Sequence, residues 1–332
     1  MNILIYGAGA IGCYLGAHLT LGGHAVTLLG RAALAEAVSL TGGLVLQSAD
    51  GSRVVVPGVR VVTTPAEAFG AGEAYDWVAF TMKACDTVPA IMELMQNNPS
   101  PGTIVCFQNG VGNEESLRSA FGAETVVAGT VTTPVSVPQP GVIIEEKARG
   151  VAIAADSPAA GSVIEALRRT RLPLSVVEST PSLKWSKLLL NITANVIPAI
   201  LGIPPAEIYA DPRLFQVERA ALQETLAILH LLGVKVINLP GVPAATLAWA
   251  VRWLPPVLLR PILRAQVARG RGKKMPSLML ALSSGQHPTE IEWLNGAVVA
   301  AADGLHRLAP VNHALALTFA DIAAGRAPWG AY

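Results

Sequence analysis

The stretch that decides the expected fold is Asn2-Ile-Leu-Ile-Tyr-Gly7-Ala-Gly9-Ala-Ile-Gly12, at the start of the chain. Asn2–Tyr6 has the composition of a buried strand, and the glycines after it are typical of a tight turn. Tyr14–Leu21 then has a helical pattern, and His24–Leu29 is a second apolar run. The order strand, turn, helix, strand predicts the start of a βαβ unit.

The rest of the chain extends this pattern and then changes character. Further strands are predicted at Val54–Val56, Val59–Val62, Trp77–Thr81, Thr103–Phe107 and Thr125–Gly129. Their alternation with helical stretches predicts a parallel sheet that helices cover on both faces. Beyond about residue 180 helices are predicted at Ser182–Ala199, Leu214–Leu232, Ala244–Trp253, Val257–Arg269, Thr289–Leu308 and Asn312–Ala324. We therefore predict an α/β domain over residues 1–180, followed by an all-helical domain over residues 181–332.

Composition excludes several classes of protein. Of the 332 residues, 52% are hydrophobic and 14% are charged, with a net charge of +1, which excludes a disordered chain and a globally basic nucleic-acid binder. Three cysteines are too few for a disulfide framework, and no metal-binding spacing is present. The charge-free stretches contain prolines and polar residues, and the N-terminus lacks the basic region of a signal peptide. We expect a cytoplasmic protein without a metal.

The glycine turn is a candidate dinucleotide site. Gly7 would permit the tight turn, Gly9 would let the backbone approach a pyrophosphate, and Gly12 would allow close packing of helix on strand. Ala10 and Ile11 open the helix, whose free N–H groups would face the phosphate charge. The alternative is an ordinary glycine-rich turn between a strand and a helix.

Arg31 indicates which dinucleotide would bind. An NAD site usually has an Asp or Glu at the end of the second strand, to bind the ribose 2′-hydroxyl. This chain has Gly30-Arg31 there instead. A guanidinium suits a 2′-phosphate, so we predict NADP(H), with a solvated surface arginine as the alternative.

Polar clusters stand out against the apolar background. They are Thr81–Ala84, Gln108–Gly112, Lys187–Asn195, Ser277 and Thr289–Gly296. Lys187, Asn191 and Asn195 are spaced i, i+4, i+8, which predicts one polar stripe on a single helix face. Such a stripe could line a site for a small carboxylate-bearing ligand. The alternatives are a core network between helices and a stripe that faces solvent.

At this point the chain resembles the ketopantoate reductase family along nearly its whole length. The resemblance rests on GAGAIG at Gly7–Gly12, Arg31, TMKA at Thr81–Ala84, QNGVGNEE at Gln108–Glu115, KLLLNITAN at Lys187–Asn195, KMPSL at Lys274–Leu278 and TEIEWLNG at Thr289–Gly296. It implies a Rossmann-type domain and a helical domain with the site in the cleft between them. It also implies NADPH-dependent reduction of 2-dehydropantoate to (R)-pantoate, a step of pantothenate and coenzyme A biosynthesis.

The same resemblance implies roles for individual residues. Lys187 matches the catalytic lysine that acts as general acid, and Glu290 matches the glutamate that completes the polar site and borders the cofactor. The remaining matches are Asn191 and Asn195 as substrate-contacting asparagines, Ser277 as the serine on the substrate carboxylate, and Lys83 and Asn109 as residues that border the nicotinamide ribose and the reacting centre. Hydride addition to a ketone develops negative charge on its oxygen, which a lysine ammonium can stabilise and then protonate.

The chain also departs from the family pattern. Ser277 is followed by Leu-Met-Leu-Ala-Leu instead of a polar Gln-Asp, and one extra residue near His287 separates it from Glu290. Gly233–Lys274 is longer than in compact members and contains Trp249, Trp253 and the basic run Arg260, Arg264, Arg269, Arg271, Lys273 and Lys274. This segment is predicted to be a helical hairpin that packs on its own domain or on a dimer partner. The alternatives are a lid over a larger anionic substrate and a membrane-surface helix.

Two other functions stay open beside the leading one. One is the same reduction of a different 2-oxo acid or ketone. The other is a non-catalytic NADPH-binding sensor, which the joint presence of Lys187, Asn191, Asn195, Ser277 and Glu290 disfavours. We expect a small-molecule 2-oxo acid as substrate, a homodimer, and neither nucleic acid nor a membrane surface as partner.

Overall fold

The computed structural model describes residues 1–98, 100–271, 275–285 and 289–330. The chain divides into two compact units. Unit 1 comprises Met1–Lys184 with Leu239–Val242, and unit 2 comprises Trp185–Asn238 with Pro243–Tyr332.

The described part of unit 1 contains twelve strands in two sheets. They are β1 (Asn2–Tyr6), β2 (Ala25–Leu29), β3 (Leu44–Gln47), β4 (Arg53–Val56), β5 (Arg60–Val62), β6 (Trp77–Phe80), β7 (Thr103–Cys106), β8 (Val126–Val131), β9 (Val135–Gln139), β10 (Val142–Glu145), β11 (Val151–Ala154) and β12 (Leu174–Val177). The main sheet has the order β12-β11-β8-β7-β6-β1-β2-β5. Its neighbours are parallel, as predicted, except for the antiparallel pair β8 and β11.

The second sheet was not predicted. Its order is β4-β3-β10-β9, and β4 pairs antiparallel with β3. The prediction that Val54–Val56 belongs to the parallel sheet is therefore wrong. Val54 and Val55 are both exposed, so an apolar run of this kind does not mark a strand buried on both faces. β9 contains Pro138 and exposed residues, which hides its strand character in the sequence.

Helices cover both faces of the main sheet, as predicted. Unit 1 contributes α1 (Ala10–Leu21), α2 (Ala32–Thr41), α3 (Pro65–Phe69), α4 (Thr87–Asn97), α5 (Asn113–Phe121) and α6 (Ala160–Arg168). Ile3 and Ile5 of β1 lie in one apolar core, and Leu4 and Tyr6 lie in another. Alternate residues of a strand point to opposite faces, so β1 anchors both cores.

Unit 2 is helical throughout its described part. α7 (Thr180–Ile192) begins in unit 1 and continues into unit 2, and the helices after it are α8 (Val196–Leu201), α9 (Pro212–Leu231), α10 (Ala244–Trp253), α11 (Pro256–Arg271), α12 (Ser277–Ser283), α13 (Asn295–Gly304) and α14 (Pro310–Ala323). Two predictions are corrected: Ser182–Ala199 forms two helices, and Thr289–Leu308 forms a 3₁₀ turn at Glu290–Trp293 before α13. Among the described helices, none has both the length and the hydropathy needed to cross a lipid bilayer.

His18 of α1 makes the stability of the fold sensitive to acid. Its ring stands edge-on to Tyr14, with 4.7 Å between centroids. Burial lowers the pKa of His18 to about 4. In the unfolded chain the pKa of a histidine is about 6.5. Between pH 4 and pH 6.5 the unfolded chain therefore binds a proton that the folded chain does not. Stability therefore falls as the pH falls from about 6.5 to about 4, by about 3 kcal/mol for the whole shift.

We expect His18→Phe to reduce this acid sensitivity, because the ring volume is kept and the titrating group is removed. Urea denaturation of the wild type and the variant at neutral and at acid pH measures the difference. An equal loss of stability on acidification in both proteins would contradict the assignment.

Candidate functional site

Two glycines of the turn after β1 are required by the fold itself. Gly7 has a φ of +99°, and a Cβ there would lie 2.7 Å from the backbone N of Met82. A Cβ on Gly12 would lie 2.5 Å from the carbonyl oxygen of Gly7. Both distances are shorter than van der Waals contact allows, so a larger residue at either position would displace backbone atoms.

Gly9 differs from both of them. It is the N-cap of α1, with a negative φ of −82°, and a Cβ added to it would meet no protein atom within 4 Å. The neighbouring backbone therefore leaves open space at Gly9. Ala10, Ile11 and Gly12 form the first turn of α1, where backbone N–H groups have no acceptor within the helix. Open space beside unpaired N–H groups is the arrangement that admits a phosphate group.

Arg31 lies beside this turn. The backbone N–H groups of Gly7 and Ala8 both donate to the carbonyl oxygen of Leu29, at 3.3 and 2.9 Å, so the turn is fixed to the end of β2. Arg31 follows as the N-cap of α2, and its side chain is exposed. Within the described residues it forms no ion pair with a carboxylate. A cation thus stands near the glycine turn where an NAD site usually has an acid.

Lys83 and Asn109 follow two neighbouring parallel strands, β6 and β7, and both side chains are exposed. The side chain of Gln108 joins the two loops. Its Nε2 donates to the carbonyl oxygens of Met82 and Lys83, at 3.2 and 3.3 Å, and to Oγ1 of Thr87 at 2.8 Å. The structure therefore brings together the loops of Lys83 and Asn109 at the sheet edge that also carries the glycine turn.

Asn113 extends these contacts at the start of α5. It accepts a hydrogen bond from Oγ1 of Thr87 at 2.9 Å and donates to the carbonyl oxygen of Asn109 at 3.0 Å. Thr87, Gln108 and Asn113 are all buried. The backbone of Asn109 is thereby fixed from inside the protein, while its side chain faces outward.

A buried ion pair lies next to the hydrogen bonds of Gln108 and Asn113. Lys184 Nζ lies 2.8 Å from Oε1 of Glu114, with 3% and 1% of the two side chains exposed. The same ammonium donates to the carbonyl oxygen of Gln108 at 2.5 Å. Burial acts to lower the pKa of Lys184, but Glu114 and the other negative groups nearby together raise it above its usual value. We call Thr87, Gln108, Asn113, Glu114 and Lys184 the Gln108 network.

The sequence did not identify Lys184 and Glu114. Glu114 stands in the quoted QNGVGNEE motif, which was the available signal. Lys184 lies three residues before Lys187 in α7, where the sequence offers nothing to separate a buried lysine from a solvated one.

The prediction that Lys187, Asn191 and Asn195 form one polar stripe on a single helix is wrong, because the helix ends between Asn191 and Asn195. α7 ends at Ile192, and Ala194 has a φ of +48°. The backbone N–H of Ala194 donates to Oε1 of Glu218 at 2.5 Å. Glu218 is buried in α9, and this acceptor stabilises a backbone conformation that non-glycine residues rarely adopt. Glu218 is a second residue that the sequence did not identify.

Asn195 nevertheless stays close to Asn191. It is the N-cap of α8, and its Nδ2 donates to the carbonyl oxygen of Asn191 at 2.9 Å. Its Oδ1 is buried and accepts no hydrogen bond from the described residues. Lys187 and Asn191 lie one turn apart on α7, and both are half-buried. Lys187 and Asn191 at the end of α7 therefore lie close in the chain to Asn195 at the start of α8, and a hydrogen bond joins Asn195 to Asn191.

Ser277 and Glu290 lie on other elements of unit 2. Ser277 is the exposed first residue of α12, which packs against α8. Glu290 is half-buried in the 3₁₀ turn, which contacts α13 and α14. Lys274 of the KMPSL motif and His287, near the extra residue, lie outside the described residues. No group of three or more His, Cys, Asp or Glu side chains in the described ranges is placed to hold a metal ion.

Most of the chain matches two models of one known protein family. Residues 3–156 match the family described as ketopantoate reductase PanE/ApbA, and residues 181–322 match its C-terminal domain. A 2-dehydropantoate 2-reductase of Halobacterium salinarum is 28% identical over 323 residues, which cover 95% of this chain and 97% of that protein.

Solved structures share the fold. The crystal structure of a PanE/ApbA family ketopantoate reductase from Ralstonia eutropha aligns with a TM-score of 0.80 and 24% identity, and covers 98% of this chain and 99% of that one. The ternary structure of D-mandelate dehydrogenase with NADH and anilino(oxo)acetate aligns with a TM-score of 0.78 and 17% identity, with the same two coverages.

Proposed function

The chain belongs to the ketopantoate reductase PanE/ApbA family and is an oxidoreductase acting on CH–OH groups, and we propose that it reduces 2-dehydropantoate to (R)-pantoate with NADPH. The observation that carries the dinucleotide part of the proposal is the open space at Gly9 beside the first turn of α1, and the family match supports the substrate. The place of this reaction is pantothenate and coenzyme A biosynthesis. A cytoplasmic location and a homodimer remain predictions. Light scattering of the purified protein tests the oligomeric state.

The residues at the edge of the main sheet fit a dinucleotide. Gly9 leaves space for a pyrophosphate, and the first-turn N–H groups of Ala10, Ile11 and Gly12 supply donors for its charge. Gly7 holds the turn in place. When bound, NADPH would supply a hydride from its nicotinamide ring. Lys83 and Asn109 are proposed to border the nicotinamide ribose, since their loops follow the adjacent strands β6 and β7.

We expect Gly9→Ala to raise the Kd for NADPH at least about tenfold, because the added methyl group would enter the space proposed for the pyrophosphate. The melting temperature should change little, because no protein atom lies within 4 Å of that methyl group. Gly12→Ala is the matched control, since its Cβ would meet the carbonyl oxygen of Gly7 and should destabilise the fold. Fluorescence titration with NADPH reads out the affinity. Unchanged affinity in Gly9→Ala would argue against the site.

Arg31 is proposed to select NADPH over NADH through the 2′-phosphate. We expect Arg31→Ala to raise the apparent KM for NADPH far more than that for NADH, because only NADPH loses a charge-assisted hydrogen bond. Steady-state kinetics with both cofactors measures the two effects. An equal effect on both would remove this role from Arg31.

Unit 2 carries the proposed acid–base chemistry. Lys187 is proposed to stabilise the negative charge that develops on the carbonyl oxygen and then to donate its proton to that oxygen. Asn191 and Asn195 are proposed to contact the substrate, and the buried Oδ1 of Asn195 is an acceptor not used by the described residues. The further proposed roles are a contact of Ser277 with the substrate carboxylate, a catalytic and cofactor-bordering role for Glu290, and a substrate contact for Asn109.

Oxidation of NADPH in the presence of a panel of 2-oxo acids tests the proposed function. Turnover of 2-dehydropantoate well above that of the other acids is the expected result. Turnover of a different member only would favour the alternative that this scaffold reduces another 2-oxo acid, a possibility supported by the D-mandelate dehydrogenase structure with anilino(oxo)acetate. NADPH binding without turnover of any member would favour the sensor.

A further inference from the structure

Charge is distributed very unevenly along the chain. The 65 residues between Glu224 and Glu290 contain eight of the 24 basic residues and none of the 23 acidic ones. The rest of the chain therefore carries a net charge of −7, although the whole chain is almost neutral. A segment of this kind attracts anionic partners.

The two central helices of this segment are attached to unit 2 by one side each. α10 packs against α9 and buries Leu247 and Val251. α11 packs against the 3₁₀ turn Pro205–Tyr209 and buries Leu259 and Leu263. The spacing of each pair by four residues defines a single buried stripe per helix. Both helices therefore pack on their own unit, as the sequence predicted for this segment.

The outer sides of the same helices are apolar as well. Five large apolar side chains within 14 residues are exposed: Trp249 by 55%, Trp253 by 65%, Val257 by 76%, Leu258 by 53% and Ile262 by 42%. We call these five side chains the apolar face. Single exposed apolar residues are ordinary, but five large ones within 14 consecutive residues of two helices are a concentration that a contact surface would account for.

Arginines accompany the apolar face. The guanidinium of Arg252 lies 5.4 Å from the ring centroid of Trp253. Arg260 and Arg264 are one turn apart on α11. In the part of the chain that the structure describes, none of the three forms an ion pair with a carboxylate. Their charge is therefore available to a partner.

We propose that the apolar face and Arg252, Arg260 and Arg264 bind the surface of an anionic lipid bilayer. Tryptophan favours the boundary between headgroups and acyl chains, and basic residues beside it are attracted to anionic headgroups. Neither α10 nor α11 needs to cross the bilayer for this.

Two other partners fit the surface less well. A nucleic acid offers phosphates to the arginines, but its backbone offers nothing to Val257, Leu258 and Ile262. A second copy that used the same face would place arginines against arginines, and no acidic residue of the segment could compensate them. The lipid surface matches both the charge and the apolar side chains. The exposures, which the sequence does not show, thus favour the membrane-surface alternative for the exposed sides of α10 and α11. This inference is independent of the proposed function.

Co-sedimentation of the full-length protein with vesicles tests the inference without substrate or cofactor. We expect binding to vesicles of phosphatidylcholine with about 30% phosphatidylglycerol and little binding to phosphatidylcholine alone. The binding should weaken as salt is added, because salt screens the arginines. Tryptophan emission should shift to shorter wavelength as Trp249 and Trp253 leave water.

Two double variants separate the contributions. Trp249→Ala with Trp253→Ala, and Arg260→Gln with Arg264→Gln, should each lower the partition coefficient on anionic vesicles at least about tenfold. Leu40→Ala with Leu308→Ala is the control, since both leucines are exposed outside the segment and should leave binding unchanged. Equal melting temperatures would show that the variants are folded.

Several results would overturn the inference. They are absence of binding to anionic vesicles, equal binding to neutral vesicles, and wild-type binding by the tryptophan variant. A change from dimer to monomer in the tryptophan variant, without vesicle binding by the wild type, would assign the apolar face to a second copy. Salt-sensitive binding to a DNA duplex, again without vesicle binding, would assign it to nucleic acid.

Discussion

Lys187→Ala is expected to lower kcat for 2-dehydropantoate at least ~100-fold, within the range usual for loss of a general acid. The methyl group can neither stabilise the charge on the carbonyl oxygen nor donate a proton to it. The Kd for NADPH should change much less, because Lys187 is not among the residues proposed to bind the dinucleotide, and all of these except Glu290 lie in unit 1. Steady-state kinetics and an NADPH titration of the same preparation measure both quantities.

Lys235→Ala is the matched control for that experiment. Lys235 is an exposed lysine of the same unit, so its removal tests whether loss of any lysine charge lowers the rate. The control should retain wild-type kcat. A loss below tenfold in Lys187→Ala would exclude Lys187 as the general acid.

Lys184→Met is expected to destabilise the fold by about 3–5 kcal/mol, because it leaves the Glu114 carboxylate buried without its cation. The carbonyl oxygen of Gln108 would lose its donor in the same variant. Urea denaturation measures the loss. Arg60→Met is the comparison, since it removes one partner of the exposed Arg60–Glu73 ion pair and should cost less than about 1 kcal/mol.

A double-mutant cycle gives this prediction its sharper form. Lys184→Met combined with Glu114→Gln should be less destabilised than the sum of the two single variants, because the second change removes the unpaired charge. Strictly additive effects would contradict a direct coupling between the two side chains. Stability of Lys184→Met equal to that of Arg60→Met would contradict the importance of burial.

The N-terminal fold could be predicted because its signals are local. Asn2–Tyr6 and the glycines after it have the composition of a strand and a turn within a dozen consecutive residues. The second sheet could not be predicted, since β3 pairs with β4 and with the distant β10. Neither β3 nor β10 alone shows which strand it will pair with.

The proximity of Arg31 to the glycine turn could be predicted, whereas the environments of other polar residues could not. Arg31 and the glycine turn lie side by side, as the βαβ pattern indicated. The break at Ala194 was not predictable, because an alanine in apolar surroundings favours a continuous helix. Its cause is Glu218, which is 24 residues away in the chain and binds the N–H of Ala194. The buried state of Lys184 likewise depends on Glu114, which lies far away in the sequence.

The Gln108 network has a consequence for how the loops of Lys83 and Asn109 meet a ligand. Ordering a backbone residue costs about 1–2 kcal/mol of conformational entropy, and loops that close on a ligand lose it at the moment of binding. Here the buried side chains of Thr87, Gln108 and Asn113 hold the backbone of both loops within the fold. These loops therefore lose their conformational freedom when the chain folds, so the proposed cofactor would meet a preorganised surface.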